Sequence, residues 1–463
     1  MNVVVVGAGM SGLLSALVAL ERGWNVTIID RETQAGGLWS SRRVTLAGED
    51  YRLDEGLRLP VKAGEPKWDD LLFANPEIGV EWLEFDGWTR EGSIFRDRFS
   101  AETSCVDTRL LGEEANRRGI EAMAAALART PSTDRRSYAN DHDMIGSLYG
   151  TVFRDEVFEP VLRGLFRCSS KELAAGTHRS VIPKRLVMCD VDQMDPLSRA
   201  HPALAGYLGH SRHDALPKDK ARAFVYPGSG AISDWTTGLT RYLEKRGATF
   251  RFGTGVKFLR NATGGALEVQ VNNGADLDAD LVVWTLPPVL LSLMGMDFGV
   301  KPIMPKFANL GIAHMKFSEP ASHRVQYALN FQHDPGFFRA VFRDNIVGDG
   351  SNIVTLEQLD YGEAPKPGEA PPPADRDAWL APALSDLRRS GAIEAGMTPV
   401  DVDRKLFPRY LPVITPEYKD MNEALISAVQ RAFPSLLFVG RAAGGGLFLD
   451  EIIREVSTTL GRY

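Results

Sequence analysis

The chain has 463 residues, which at roughly 150 per domain suggests about three domain-sized units. Hydrophobic residues make up 44% and charged residues 24%, an ordinary globular composition that excludes wholesale disorder. Lys and Arg number 53 against 60 Asp and Glu, and the net charge of -7 leaves no overall footprint for nucleic acid or an anionic membrane, while still allowing a local basic pocket. Cys105, Cys168 and Cys189 form no CxxC pair. They read as reduced thiols of a cytoplasmic protein rather than a disulfide framework or a zinc site. The apolar run over residues 3–20 has no basic stretch before it and is broken by glycines, so a signal peptide or membrane anchor is the weaker reading.

Residues 3–6 are four valines and read as a strand buried on both faces, as in a parallel sheet. Gly7-Ala8-Gly9-Met10-Ser11-Gly12 follows at once. Residues 13–22 read as a helix with Leu13, Leu14, Leu17 and Leu20 on one side, closed by Gly23. Residues 25–29 read as a second strand, with Asp30 at its carboxyl end. This is the dinucleotide-binding order of strand, GxGxxG, helix, strand and acid. Gly7 allows the tight turn, Gly9 lets backbone approach a pyrophosphate, and Gly12 lets helix and strand pack closely. The helix N-terminus offers unpaired N–H groups to phosphates. Asp30 would accept from a ribose hydroxyl and argues against a 2′-phosphate. The bland alternative is a glycine-rich turn that binds nothing.

After Asp30 and Arg31 comes a second glycine pair in Gly36-Gly37-Leu38-Trp39, which the minimal dinucleotide unit does not contain. Residues 3–40 resemble the extended fingerprint of the FAD-binding superfamily of amine oxidases, protoporphyrinogen oxidases, phytoene desaturases and UDP-galactopyranose mutases. The resemblance implies FAD, and places Gly7, Gly9, Met10, Ser11, Gly12, Asp30, Arg31, Gly36, Gly37, Leu38 and Trp39 around it. Amine oxidases usually carry arginine where this chain has Leu38. Residues 51–60, with Asp54, Gly56 and Arg58, resemble the D-x-G strand near the flavin in those enzymes, and Arg58 becomes a candidate substrate contact. A polar hairpin ending at Pro60 fits the local sequence equally well.

Residues 64–221 are richer in charge and helix formers, with a helix expected over 113–127. Residues 147–173 resemble the Y-G-x-x-F…P…E-L stretch of the protoporphyrinogen oxidase and mutase branches. Arg179, Lys184 and Arg185 follow. Arg185 is a candidate for an anionic substrate, against the commoner reading of a solvated basic surface. A helix is expected over 231–245 and strands over 249–252, 256–259, 267–271 and 278–285. In the relatives the chain here returns to the FAD domain, and the segment at Val256 meets the adenosine end. Residues 307–315, 324–331 and 340–342 read as antiparallel strands. Phe337-Phe338-Arg339 resembles a mutase strand whose arginine faces the substrate diphosphate, although an arginine in a strand is more often exposed or paired. Residues 364–374 read as a proline-rich extended loop, followed by an amphipathic helix near 375–389. In the tail a strand runs into Gly440-Arg441, then small residues over 442–446 and a helix from Leu449 to about Leu460. This resembles the C-terminal FAD motif and adds Gly440, Arg441 and Leu449 to the cofactor set.

These readings give an α/β fold. A discontinuous Rossmann-type FAD-binding domain is expected over 1–63, 222–300 and 405–463. An α+β substrate domain, antiparallel sheet plus helices, is expected over 64–221 and 301–404. The eight histidines form no HxxxH or HExxH pair, so no metal is expected. There is no GxSxG, no P-loop and no second GxGxxG. No catalytic side chain is named, because a flavin would carry the chemistry. No Cys or His lies in the fingerprint runs, which points to non-covalent FAD. The leading expectation is an FAD-dependent oxidoreductase that oxidises a small organic substrate by hydride transfer. Two alternatives stand beside it: a UDP-galactopyranose-mutase-like isomerase acting on a nucleotide sugar, and a non-catalytic flavin-binding protein. The expected partner is a small-molecule substrate, without nucleic acid or an integral membrane segment, and an oligomer is left open.

Overall fold

Two sheets organise the chain, and each follows from its own hydrophobic pattern. The computed structural model describes residues 1–85, 90–215, 224–362, 378–446 and 448–463. The expected proline-rich loop over 364–374 and the first residues of the 375–389 helix lie outside these.

The first sheet is parallel and five-stranded, in the order Thr249–Arg251, Asn25–Ile29, Asn2–Val6, Leu281–Trp284, Leu436–Phe438. Its central strand is buried over Val3–Val6, and alternate valines enter different cores. Val3 and Val5 pack with the helices Met10–Glu21, Ser233–Lys245 and Leu449–Leu460. Val4 and Val6 pack with the small sheet Val256–Asn261, Leu267–Val271, Leu277–Ala279 and the helix Pro416–Ala432. A parallel sheet needs cover on both sides, which is why all four positions are apolar.

The second sheet has seven strands, in the order Pro399–Pro412, Phe307–Phe317, Ile353–Asp360, Arg339–Phe342, Tyr327–Asn330, Glu91–Phe95, Arg98–Ser100. All neighbours are antiparallel except Tyr327–Asn330 on Glu91–Phe95. One face packs on the helix Leu380–Ser390. The other receives the hairpin Ser41–Leu46 and Glu49–Asp54, whose Val44, Leu46 and Leu53 meet Ile353. A helical layer of Glu113–Leu127, Asp141–Phe153 and Glu159–Phe166 builds a separate core around Phe153, Phe158 and Leu162.

Four strands of this sheet are absent from the sequence expectations: the short pair Glu91–Phe95 and Arg98–Ser100, and two longer ones. Ile353–Asp360 carries Glu357 in its middle, which breaks the apolar run. Pro399–Pro412 carries Asp401, Asp403, Arg404, Lys405 and Pro408. It is an edge strand, where charge and proline are tolerated because one row of backbone groups faces outward. It continues through residue 405 as part of this sheet. Among the described residues no helix is long and apolar enough to cross a membrane.

Candidate functional site

The helix Met10–Glu21 starts without a cap. Gly9 holds the N-cap position at φ -71° and ψ 178°, no side chain accepts from the first turn, and that turn carries no acid. The N–H groups of Met10, Ser11 and Gly12 therefore lack intrahelical partners at the positive end of the helix dipole.

Glycines from distant parts of the chain wall this end. Gly7, at φ 103°, donates to Ile29 O at 2.9 Å, and a Cβ there would lie 2.3 Å from Thr285 Oγ1. A Cβ at Gly12 would lie 1.8 Å from Gly7 O. Gly36 donates to Ala8 O at 2.9 Å, and a Cβ at Gly37 would sit 3.3 Å from Gly9 Cα. Gly440 packs so closely on Ser11 that a Cβ would be 2.5 Å from its Oγ. Gly9 differs: a Cβ there would meet nothing within 4 Å. Packing within the protein does not require glycine at 9, whereas a phosphate drawn up to the uncapped N–H groups would.

Asp30 is fixed beside this turn. Its Oδ2 accepts from Ala8 N–H at 2.6 Å and its Oδ1 from Glu32 N–H at 2.9 Å, leaving lone pairs for a sugar hydroxyl. Thr254 N–H donates to Asp30 O at 2.8 Å, which brings the segment leading to Val256 alongside. Arg31 is exposed and meets Glu32 at 3.6 Å. Leu38 is 48% exposed, an apolar side chain left open beside the Gly37–Gly9 contact. Trp39 instead turns into the core, edge-on to Trp235 with ring centroids 5.5 Å apart. Met10 and Leu449 are buried at the starts of their helices. The Gly440–Gly446 loop is held by Glu455, whose carboxylate accepts from Gly440 N–H at 3.1 Å and Gly446 N–H at 2.9 Å.

One residue past Gly440 the chemistry changes from backbone donors to guanidinium groups. Arg441 keeps an open surface, while protein on its other sides desolvates it and holds its pKa below the usual value. Arg58 adds repulsion, and Tyr410 opposes the shift. Arg58 donates to Leu57 O at 2.8 Å and to Tyr410 Oη. Leu57 N–H donates to Glu357 Oε1 at 2.9 Å. Glu357 is fully buried and takes Arg339 in a two-pronged pair, Nε at 2.7 Å and Nη2 at 2.6 Å. Burial works against the Arg339 charge, but the Glu357 carboxylate outweighs it and the pKa rises. Arg58 and Arg339 thus meet at Leu57, one through its own carbonyl contact and the other through Glu357. Arg185 stands elsewhere, exposed just before the short strand Leu186–Val187, near the half-buried Cys105. Among the described residues no group of His, Cys, Asp and Glu could hold a metal ion.

Behind the cleft, Asp54 fastens the hairpin to the helix Ser233–Lys245. It accepts from Tyr226 Oη at 2.6 Å, Ser41 Oγ at 2.7 Å and Ile232 N–H at 2.9 Å. Burial raises its pKa despite these bonds.

Glu357, Tyr410 and Glu455 were not singled out from sequence. A carboxylate amid the apolar residues of 353–359 is the only signal that pointed to Glu357.

The sequence profile of an NAD(P)-binding Rossmann-like domain matches residues 5–72. A D-amino acid dehydrogenase of Xanthobacter autotrophicus is 27% identical over 312 residues, 65% of each chain. An all-trans-zeta-carotene desaturase of Myxococcus xanthus is 25% identical over 354 residues, 71% of this chain and 58% of that protein. The matched region therefore spans under two thirds of the length of either relative. Among solved structures, reduced UDP-galactopyranose mutase superposes with a TM-score of 0.70 at 14% identity, over 100% of this chain and 96% of that one. A putrescine oxidase triple mutant gives 0.61 at 14% identity, over 100% and 98%. The chain shares the mixed α/β fold of these structures, and the Rossmann-like match covers the segment that holds Gly7, Gly9 and Gly12.

Proposed function

We propose that this chain is an FAD-dependent oxidoreductase that oxidises a small organic substrate by hydride transfer to non-covalently held flavin. The observation that carries this is the uncapped helix end at Gly9, walled by Gly7, Gly36–Gly37 and Gly440, with open space where a Cβ of residue 9 would be. Met10, Ser11 and Gly12 N–H would hold the pyrophosphate. Asp30 would take a ribose hydroxyl, with Val256 and Arg31 near the adenosine end. Gly36, Gly37 and Leu38 on one side, and Gly440, Arg441 and Leu449 on the other, would line the rest, with Trp39 packing behind them against Trp235. The second glycine pair lies beyond the minimal dinucleotide unit and favours FAD over a nicotinamide cofactor. When bound, the flavin supplies hydride acceptance. The chain's own groups would orient the substrate in the cleft beside Leu57 and exclude water. The FAD-binding part would be 1–63, 222–300 and 405–463 and the substrate part 64–221 and 301–404, except that 405–412 pair within the second sheet and go with the substrate part. The dehydrogenase and desaturase similarities support redox chemistry.

Purified protein should show flavin absorbance, and a candidate amine or alcohol should bleach it under anaerobic conditions. A colourless protein that FAD cannot reconstitute would refute the cofactor assignment.

The guanidinium groups of Arg58 and Arg339 beside Leu57 favour a second reading, a mutase-type isomerase on a nucleotide sugar. UDP-sugar binding that tightens after dithionite reduction, with no bleaching by any amine or alcohol, would select it.

A further inference from the structure

Four aromatic rings meet in the core behind the dinucleotide turn, and three of them are indoles. Trp235, fully buried in the helix Ser233–Lys245, is their centre. Trp39 meets it edge-on with ring centroids 5.5 Å apart, and Trp82, in the short strand Trp82–Glu84, meets it edge-on at 5.4 Å. Phe73 stacks on Trp235 at 5.5 Å. At these spacings the ring edges touch. Trp39 and Trp82 make no ring contact with each other among the described residues, so Trp235 is the link.

The two ends of this row differ in place. Trp39 belongs to the turn stapled onto the dinucleotide motif: its N–H donates to Gly36 O at 3.0 Å, Gly36 N–H donates to Ala8 O at 2.9 Å, and a Cβ at Gly37 would lie 3.3 Å from Gly9 Cα. Trp82 is half-buried, so the row ends at the surface. Between them Trp235 has no exposed area, and its Nε1–H has no acceptor among the described residues. An indole gives up one electron far more readily than a phenyl ring, so Phe73 packs the row without carrying charge. An oxidised indole is trapped when its N–H proton leaves to an acceptor. Trp235 has none, so a positive charge placed on it stays mobile.

We propose that Trp39, Trp235 and Trp82 form a one-electron relay from the cofactor turn to the surface, which gives the protein a light-driven activity, the reduction of its flavin by an external thiol. The relay rests on the FAD reading above. Ground-state flavin is too weak an oxidant for indole, and blue light supplies the difference. Trp39 gives one electron to the excited flavin, Trp235 refills Trp39, Trp82 refills Trp235, and a thiol at the surface refills Trp82. Two such turns take two electrons and two protons from a pair of thiols, which couple to a disulfide, and leave the flavin fully reduced.

The test uses FAD-loaded protein, with FAD content read by absorbance before each measurement. Two quantities are followed: the flavin fluorescence lifetime, and the light-minus-dark rate of bleaching in anaerobic dithiothreitol. Trp39→Phe should lengthen the lifetime severalfold and remove most of the bleaching. Trp82→Phe should leave the lifetime unchanged and still slow the bleaching severalfold, because the charge then stops at Trp235 and returns. Trp68→Phe removes a buried indole of the same core that has no ring contact with the three among the described residues, and it should change neither quantity. Bound flavin with an unchanged lifetime in Trp39→Phe would overturn the relay alone. So would bleaching that is equally fast in Trp82→Phe and wild type, or equally slow in Trp68→Phe and Trp82→Phe. A protein that takes up no FAD would refute the flavin assignment, and the relay with it.

Discussion

At the scale of single residues, glycines that look alike in the sequence do different work. Gly12 is a packing glycine: its missing Cβ is replaced by the Gly7 carbonyl oxygen, 1.8 Å from where the carbon would be. Gly9 is a ligand glycine: its φ of -71° suits any residue and its Cβ direction is empty. This contrast makes a sharp prediction. Gly12→Ala should destabilise the fold by about 1–3 kcal/mol, the usual cost of overpacking a tight contact. Gly9→Ala should leave the thermal midpoint nearly unchanged and yet lower FAD occupancy, and Gly9→Val should abolish it. Midpoints and flavin content measured on all three variants test both halves. Equal destabilisation by the two alanines would show that Gly9 is also a packing residue. Motif position assigns Gly9 to backbone approach and Gly12 to helix–strand packing, and these variants test the two tasks separately.

At the scale of elements, local patterns were readable and long-range partnerships were not. The four valines and the GxGxxG run specify strand, turn and helix because both faces of a parallel sheet and a tight turn leave few alternatives. The helices Glu113–Leu127 and Leu449–Leu460 also match their expected bounds. Ile353–Asp360 and Pro399–Pro412 were missed because a buried carboxylate and a charged edge look like loop sequence. Glu357 meets Leu57 across 300 residues, and no local rule pairs them. Resemblance brought Gly440 into view, but not Glu455, which sits 15 residues later and holds the loop from its helix. Glu455→Ala should free both ends of the Gly440–Gly446 loop. Two hydrogen bonds to a charged group are lost, so stability should fall by roughly 1–3 kcal/mol. FAD should bind about tenfold more weakly. Glu455→Gln, with one acceptor oxygen left, should fall between. If FAD binding is unaffected while stability drops, Glu455 supports the helix and not the cofactor loop.

At the scale of the whole molecule, the two sheets meet through the 41–54 hairpin, and that junction is rich in titratable groups. His314 lies in the strand Phe307–Phe317, opposite Thr355 on one side and Asp403 on the other. Its Nδ1 is 2.8 Å from Thr355 Oγ1, and among the described residues its Nε2 has no partner. Burial, reinforced by Arg42, Arg343 and Lys405, pulls its pKa from 6.5 down to about 3. Asp403 is itself engaged by Arg42. The folded protein therefore keeps His314 neutral where the unfolded chain would protonate it. Below pH 6.5 the unfolded state binds the extra proton, so stability falls as pH drops from 6.5 toward about 3, by up to about 1.4 kcal/mol per pH unit for this one group. Asp54 acts with the opposite sign. Its raised pKa means the folded state holds its proton more tightly, and that stabilisation fades as pH rises through the folded value. His314→Asn can keep the Thr355 bond while removing the titration. Its thermal midpoint should lose less than that of wild type between pH 6.5 and 4, so the two curves should converge as the solution is acidified. Parallel curves would mean that His314 takes up its proton in the fold, and that the hairpin junction is open enough to hydrate it.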